Sequence, residues 1–216
     1  MATLKPKEFS RIRDLYTKKL LSAPEIAAVC KVSLDAVYYF MRANGIARRS
    51  WSDQNRVRFD KKPLSFRLKK RLSKSEIELK TIGTVLYWGE GYKADSANGI
   101  DFANSDPEMA VIFMRFLREI CGVNNSRIKV FIYCYANQDI KRLTHFWRKK
   151  LKVPTSQFTK PYVRTDFRKG KENKMPYGLV HIRYNDKKLL FLVKQWIKEY
   201  KDTHCVGTQV VNEDAL

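Results

Sequence analysis

The hydrophobic period of this 216-residue chain changes once, near Ser73, and that change limits the folds open to it. Before residue 50 the apolar residues recur at helical spacing: Phe9, Ile12, Leu15 and Tyr16, then Ile26, Ala27 and Val29. Ser22 reads as an N-cap, with Pro24 in the first turn and Glu25 beside the positive helix end, so a short helix is expected over 23–30. Lys31-Val32 turns the chain, Ser33 caps a third helix over 34–43, and Asn44-Gly45 ends it. After Ser73, helices alternate with short period-two strands. The overlapping capping boxes of Ser73 to Glu78 start a helix through Leu79, Ile82, Val85, Leu86 and Trp88 that closes at Gly91. Two strands are expected within 92–103 around Ala97-Asn98-Gly99, then a helix from Asp106-Pro107 to about Cys121. A strand over 128–135, a helix over 140–151, strands over 158–167 and 177–184 and a helix over 187–200 complete the pattern. In the strand over 128–135, Lys129, Phe131, Tyr133 and Tyr135 share one face. The class is α+β. The divisions are a three-helix domain (1–47), a basic linker (48–74), an α+β domain (75–201) and a flexible tail (202–216).

Charge narrows the partners. Lys and Arg total 43 against 22 Asp and Glu, a formal +21, while 44% apolar residues suffice for a core. A fold so basic repels itself unless it meets a polyanion. No apolar run approaches the roughly 18 residues that span a bilayer, and Met1 to Lys7 lacks an apolar signal core. Nucleic acid is therefore the expected partner and a membrane is not; an intracellular, cytoplasmic, DNA-associated location follows. Two blocks hold most of the excess: residues 48–80 carry a net +8 and residues 141–174 a net +10. Cys30, Cys121, Cys134 and Cys205 form no CxxC pair and read as free thiols, and His204-Cys205 is too small a cluster for zinc.

The stretch Glu25-Ile26-Ala27, Val32-Ser33, Val37, Met41 and Gly45-Ile46 fits a helix–turn–helix. Ala27 lets two helices cross closely, and Val32, Val37 and Met41 seal the space between them. The second helix would offer Ser33, Asp35, Ala36, Tyr39 and Arg42 to a major groove. Arg48, Arg49, Arg56 and Arg58 in the following basic stretch would track phosphates or enter a minor groove.

The segment Ile82-Gly83-Thr84-Val85-Leu86-Tyr87-Trp88-Gly89-Glu90-Gly91 carries the chemistry. Glu90 falls in the last turn of a helix, with Gly83, Leu86 and Tyr87 on its face at i−7, i−4 and i−3. Small residues at Gly83 and Gly89 would admit a partner helix. An acid at a helix C-terminus opposes the macrodipole by roughly 0.3–1 kcal/mol, which a cation reverses. Two such helices side by side bring two carboxylates together, and those repel unless a divalent metal lies between them.

This segment resembles the LAGLIDADG motif of the homing endonucleases, in its form ending Gly-Glu-Gly. Leu86 and Gly91 match directly, Thr84 and Gly89 fill small-residue positions, and Val85 and Trp88 depart from a usual glycine and a usual acid. Tyr87-Trp88-Gly89-Glu90-Gly91-Tyr92-Lys93 and Asn104-Ser105-Asp106-Pro107-Glu108-Met109 are similar to phrases in a variant of the family. The resemblance covers about residues 77–200, and a helix–turn–helix is a familiar accompaniment.

The resemblance implies an αββαββα-type domain with a curved antiparallel sheet and a homodimer joined along Gly83, Leu86, Tyr87 and Gly89. It also implies a Mg²⁺- or Mn²⁺-dependent endonuclease for double-stranded DNA. Glu90 would be the catalytic, metal-binding acid, with Gly91 in the same metal site. Lys129, Lys160, Arg164, Arg168, Lys169, Lys171 and Lys174 would contact the duplex. Lys93 would touch phosphate or pair with Glu90. Asp95 and Asp101 read either as helpers to Glu90 or, as hairpin acids usually are, as solvated groups, and Asn104, Ser105 and Asp106 read as helix caps. Some relatives keep the fold and act as transcriptional regulators, which is the rival expectation; a basic RNA-associated protein is a third.

Overall fold

The computed structural model describes residues 4–165 and 175–205. The chain divides between Pro63 and Leu64 into two compact units.

In the first unit, helices α1 (Phe9–Thr17), α2 (Ala23–Cys30) and α3 (Leu34–Ala43) enclose a small core of Ile12, Tyr16, Ile26, Ala27, Val37, Phe40 and Met41. The Ser22 capping box forms as its spacing requires: the Ser22 amide donates to Glu25 Oε2 at 2.6 Å. Ser33 caps α3 by accepting the Ala36 amide at 3.1 Å. Lys31 turns the chain in the left-handed conformation, and Gly45 ends α3 in the same region.

The stretch expected as a linker is largely ordered. Residues Trp51–Lys61 form α4, capped by Ser50. From Ser65 the chain is a strap on the second unit. Phe66 is buried in that unit's core and bridges to Val123, the Arg67 amide donates to the Gly122 carbonyl at 3.0 Å, and the Ser65 hydroxyl donates to Asp186. The capping and core contacts of these residues were hidden by a run of charge.

The second unit is α+β. Its helices are α5 (Lys74–Glu90), α6 (Pro107–Arg115), α7 (Ile140–Leu151) and α8 (Lys187–His204), and a π-helical turn, Phe116–Ile120, extends α6. Strands β1 (Ile100–Asn104), β2 (Lys129–Tyr135), β3 (Tyr162–Arg164) and β4 (Leu179–Tyr184) form one sheet in the order β1-β4-β2-β3. Alternation sorts the two faces. Phe102, Val130, Ile132, Cys134, Val180, Ile182 and Tyr184 are buried beneath the helices, while Asp101, Phe131, Tyr133, His181 and Arg183 lie half-buried on the opposite face, which is open among the described residues.

Three expectations for the sheet are corrected. It is mixed rather than antiparallel, because β3 runs parallel to β2. The α7 crossover carries the chain back past β2, and a strand entered that way runs in the same direction. Of the strand expected over 158–167, residues 166 and 167 lie outside the described residues, and among the rest only Tyr162–Arg164 form a strand, after Pro161, which has no amide for the ladder. The first strand of the expected hairpin shrinks to a bridge between Gly91 and Phe102 and one bond from the Tyr92 amide to the Asp101 carbonyl, 2.8 Å. Beyond it Lys93 is drawn back to the end of α5, and Asp95 turns to Lys194 of α8 at 3.2 Å. The last helix also continues past Tyr200 to His204.

Gly122 holds the strap in place. Its φ is +58°, and a Cβ there would overlap the Arg67 carbonyl. Gly122→Ala is expected to lower the unfolding free energy by about 2 kcal/mol through left-handed strain and displacement of the strap. The urea midpoint of the purified chain measures it.

Candidate functional site

Three surfaces collect the residues singled out by sequence. On the first unit, Asp35, Tyr39 and Arg42 stand outward on α3; Tyr39 is 67% exposed, and the Arg42 guanidinium lies 6.0 Å from its ring centre. Ser33 belongs to the same helix start, but its hydroxyl oxygen is engaged as the N-cap. A groove of about 730 Å³ lies along α3, lined by Asp35, Tyr38, Tyr39, Arg42 and Arg48, with Arg48 over the Tyr38 ring at 4.4 Å. Arg56 and Arg58 are exposed on α4. Arg49 is different. Its guanidinium donates to the carbonyls of Tyr16 and Leu21 and to Gln54, and it covers the Tyr16 ring at 4.1 Å. With Nη1 and Nη2 bonded inside the unit, Arg49 has a structural role there that its sequence position did not show.

The second surface is the end of α5. Gly83 and Tyr87, expected at an interface between copies, face this chain's own core. A Cβ at Gly83 would overlap the Phe116 ring, and Tyr87 is fully buried, stacked 5.8 Å from Phe113. Burial pushes the Tyr87 hydroxyl up to about 12, and it donates to the Tyr92 carbonyl at 2.7 Å. The outward stripe is instead Ile82, Val85, Leu86 and Gly89, spaced i, i+3, i+4 and i+7. Ile82 is 40% and Val85 49% exposed, Leu86 is half-buried, and no atom lies within 4 Å of where a Gly89 Cβ would stand.

Glu90 ends this stripe. It is exposed and, among the described residues, makes no hydrogen bond or ion pair. Lys93 does not pair with it. The Lys93 ammonium donates to the carbonyls of Gly91 at 2.6 Å, Trp88 at 2.9 Å and Tyr87 at 3.5 Å. Three donors meet three carbonyls at the negative end of the helix, so Lys93 is a cap rather than a phosphate contact. The same bond occupies the Gly91 carbonyl, which therefore points at a cation already.

The third surface is the open face of the sheet. Lys129 stands exposed on β2, opposite Arg183 of β4 in the ladder. Lys160 is exposed just before β3, and Arg164 ends that strand. Arg168, Lys169, Lys171 and Lys174 lie outside the described residues. Asp101 sits among these cations and is not simply solvated. Its Oδ1 lies 2.8 Å from His181 Nδ1, and its Oδ2 accepts from Arg183 Nε at 2.8 Å. Partial burial pushes the Asp101 carboxyl up, but His181 and Arg183 outweigh it and hold the group below the ordinary carboxylate value. Sequence reading passed over His181 and Arg183. Their alternation along β4 marks them as co-facial, but only the β4–β2 register shows that this face is also that of Lys129. The five cations of α7, by contrast, lie on the helix-covered side of the sheet, with Lys150 paired to Glu108 at 2.6 Å.

Among the described residues no three His, Cys, Asp or Glu side chains cluster as metal ligands, and no helix is long and apolar enough to cross a membrane. No protein-family model, curated protein or solved structure matches the chain.

Two outcomes follow for this site. Replacing Lys93 by Gln is expected to cost about 1 kcal/mol of unfolding free energy through the lost cap, read by chemical denaturation. Asp101 has a lowered folded-state pKa, so its contribution is present at neutral pH and lost as pH falls through that lowered value. The stability gap between wild type and Asp101→Asn, measured by urea unfolding, is expected to persist at pH 7 and to close on acidification below about pH 4.

Proposed function

We propose that this chain is a site-specific double-stranded DNA endonuclease that acts as a homodimer with Mg²⁺ or Mn²⁺, each copy contributing Glu90. The observation that carries the proposal is α5: an outward apolar stripe, exposed among the described residues, that ends at an exposed acid with no hydrogen bond or ion pair among them. A second copy packed along Ile82, Val85 and Gly89 covers that stripe and brings the two Glu90 carboxylates together. Among the described residues no three potential metal ligands of one chain cluster, and Asp95 pairs with Lys194 and Asp101 with His181 and Arg183. Two copies supply two carboxylates, the donor type that Mg²⁺ takes alongside water and phosphate oxygens. The metal would act as a Lewis acid on a phosphodiester and acidify an attacking water.

Duplex DNA is the partner that fits the remaining features. The formal charge is +21, a sheet face open among the described residues presents Lys129 and Arg183, and the first unit is three helices with Tyr39 and Arg42 outward on the third, where a helix–turn–helix would place its recognition residues. A major groove admits an α-helix or a two-stranded β-ribbon, so α3 and paired strands of the open face would each enter one.

A second reading, a non-catalytic DNA-binding regulator on the same fold, is favoured by one contact. The Lys93 ammonium already sits on the Gly91 carbonyl and reverses the helix-end penalty that a metal would otherwise relieve.

The deciding experiment incubates supercoiled DNA carrying the gene's own flanking sequence with wild type and Glu90→Gln, in Mg²⁺ and in EDTA. Nicking and cleavage by wild type alone, in metal alone, are expected, together with a solution mass near twice 25.4 kDa. Binding by both proteins without cutting makes the chain a regulator. A monomer on cleaved DNA removes the paired acids.

A further inference from the structure

One acid stands on the edge strand β1 of the open, basic sheet face, and its contacts are specific. Asp101 lies opposite Arg183 in the β1–β4 ladder, and Arg183 lies opposite Lys129 in the β4–β2 ladder. Both Asp101 oxygens are used, one by His181 Nδ1 and one by Arg183 Nε, each at 2.8 Å. His181 therefore keeps the carboxylate from rotating away from Arg183. The Arg183 guanidinium also lies over the Phe131 ring, its central carbon 4.9 Å from the ring centre, and His181 meets the same ring edge-on at 5.4 Å. A carboxylate holds the guanidinium at Nε and an aromatic ring holds it from one face. Among the described residues its Nη1 and Nη2 have no hydrogen-bond partner, and the side chain is 40% exposed.

Such an arrangement suits one use of arginine better than another. An arginine that meets phosphate acts by charge, and a neighbouring carboxylate weakens it by neutralising that charge and repelling the phosphate. An arginine that reads a base acts by direction. Two N–H groups must meet guanine O6 and N7 in one plane, and a fork held in place beforehand loses less freedom on binding. We infer that Arg183 reads a guanine in the major groove of duplex DNA, and that Asp101 is the positioning residue that aims it. This rests on the proposed reading of the open face as the DNA-contacting surface. It adds what that reading lacks: a base and the side chain that selects it. Lys129, with no such brace, is left to the backbone.

The test selects duplexes from a randomised library with wild type, Arg183→Ala, Arg183→Lys and Asp101→Asn, each checked by thermal unfolding. Wild type is expected to enrich one guanine at a fixed position, repeated by symmetry if two copies bind. Arg183→Ala and Arg183→Lys are expected to lose that guanine, by roughly 5- to 150-fold in relative affinity, while preferences elsewhere in the site persist. Asp101→Asn keeps the arginine but releases it. Its guanine preference is expected to fall several-fold while affinity for unrelated duplexes holds or rises. Arg183 variants that weaken all duplexes equally and flatten the salt dependence would make Arg183 a phosphate contact and overturn the inference, as would unchanged base preferences. A wild type that enriches no duplex takes down the DNA-binding reading itself, and the inference with it.

Discussion

The seating of α5 against Phe116 orders the second unit. Gly83 has no side chain, so the helix backbone rests on the ring and α5 is fixed in rotation about its axis. Leu79, Thr84 and Tyr87 then turn inward, and Tyr87, Phe113 and Phe102 form a line of stacked rings from α5 through α6 to β1. The π-helical turn after α6 brings Phe116, Leu117 and Ile120 all into that core. Once this side is fixed, the opposite side of α5 must carry Ile82, Val85 and Gly89 outward, with Glu90 at its end. The apolar stripe and the position of the acid follow from one glycine and one ring.

A formal charge of +21 treats every cation alike, and the structure does not. Arg49 is spent on carbonyls of the first unit, Lys61 donates to the Leu20 carbonyl at 3.0 Å, and Lys93 closes α5. Arg118 reaches Asn125 at 2.8 Å and the Lys152 carbonyl at 3.1 Å. These groups still add to the long-range field that draws a polyanion. Part of their donor capacity, however, is committed to the chain's own carbonyls and side chains, which leaves less of it for selecting a partner. In the proposed reading, attraction comes from many cations and selection from the few that are both braced and open, with Arg183 the clearest case.

Most of the elements were legible because their signals are local. The caps at Ser22, Ser33 and Ser73, the helix over 140–151 and the alternation along 129–135 depend on residues within a few positions of each other. What escaped depends on partners far along the chain. Gly83 at a helix surface reads as room for a second helix until Phe116 fills that room. Arg49 and Lys93 read as phosphate contacts until Tyr16, Leu21 and the end of α5 claim them. The strap at 65–67 is hidden because Phe66 lies in a short stretch crowded with cations, and Val123 and Gly122 reveal what it covers. His181 and Arg183 became a site when the β4–β2 register set them beside Lys129.

The end of α5 also bears on when a metal would bind. Glu90 and the helix dipole are negative, and Lys93 compensates them within the same chain. Two copies meeting along α5 bring two glutamates and two lysines, so the joined ends carry no net side-chain charge. A divalent ion then gains little from charge alone in the free protein. The scissile phosphate changes that balance, adding negative charge and oxygen ligands where Mg²⁺ prefers them. In the proposed enzyme, metal and DNA therefore bind with positive coupling, and by linkage each raises the affinity for the other by the same factor.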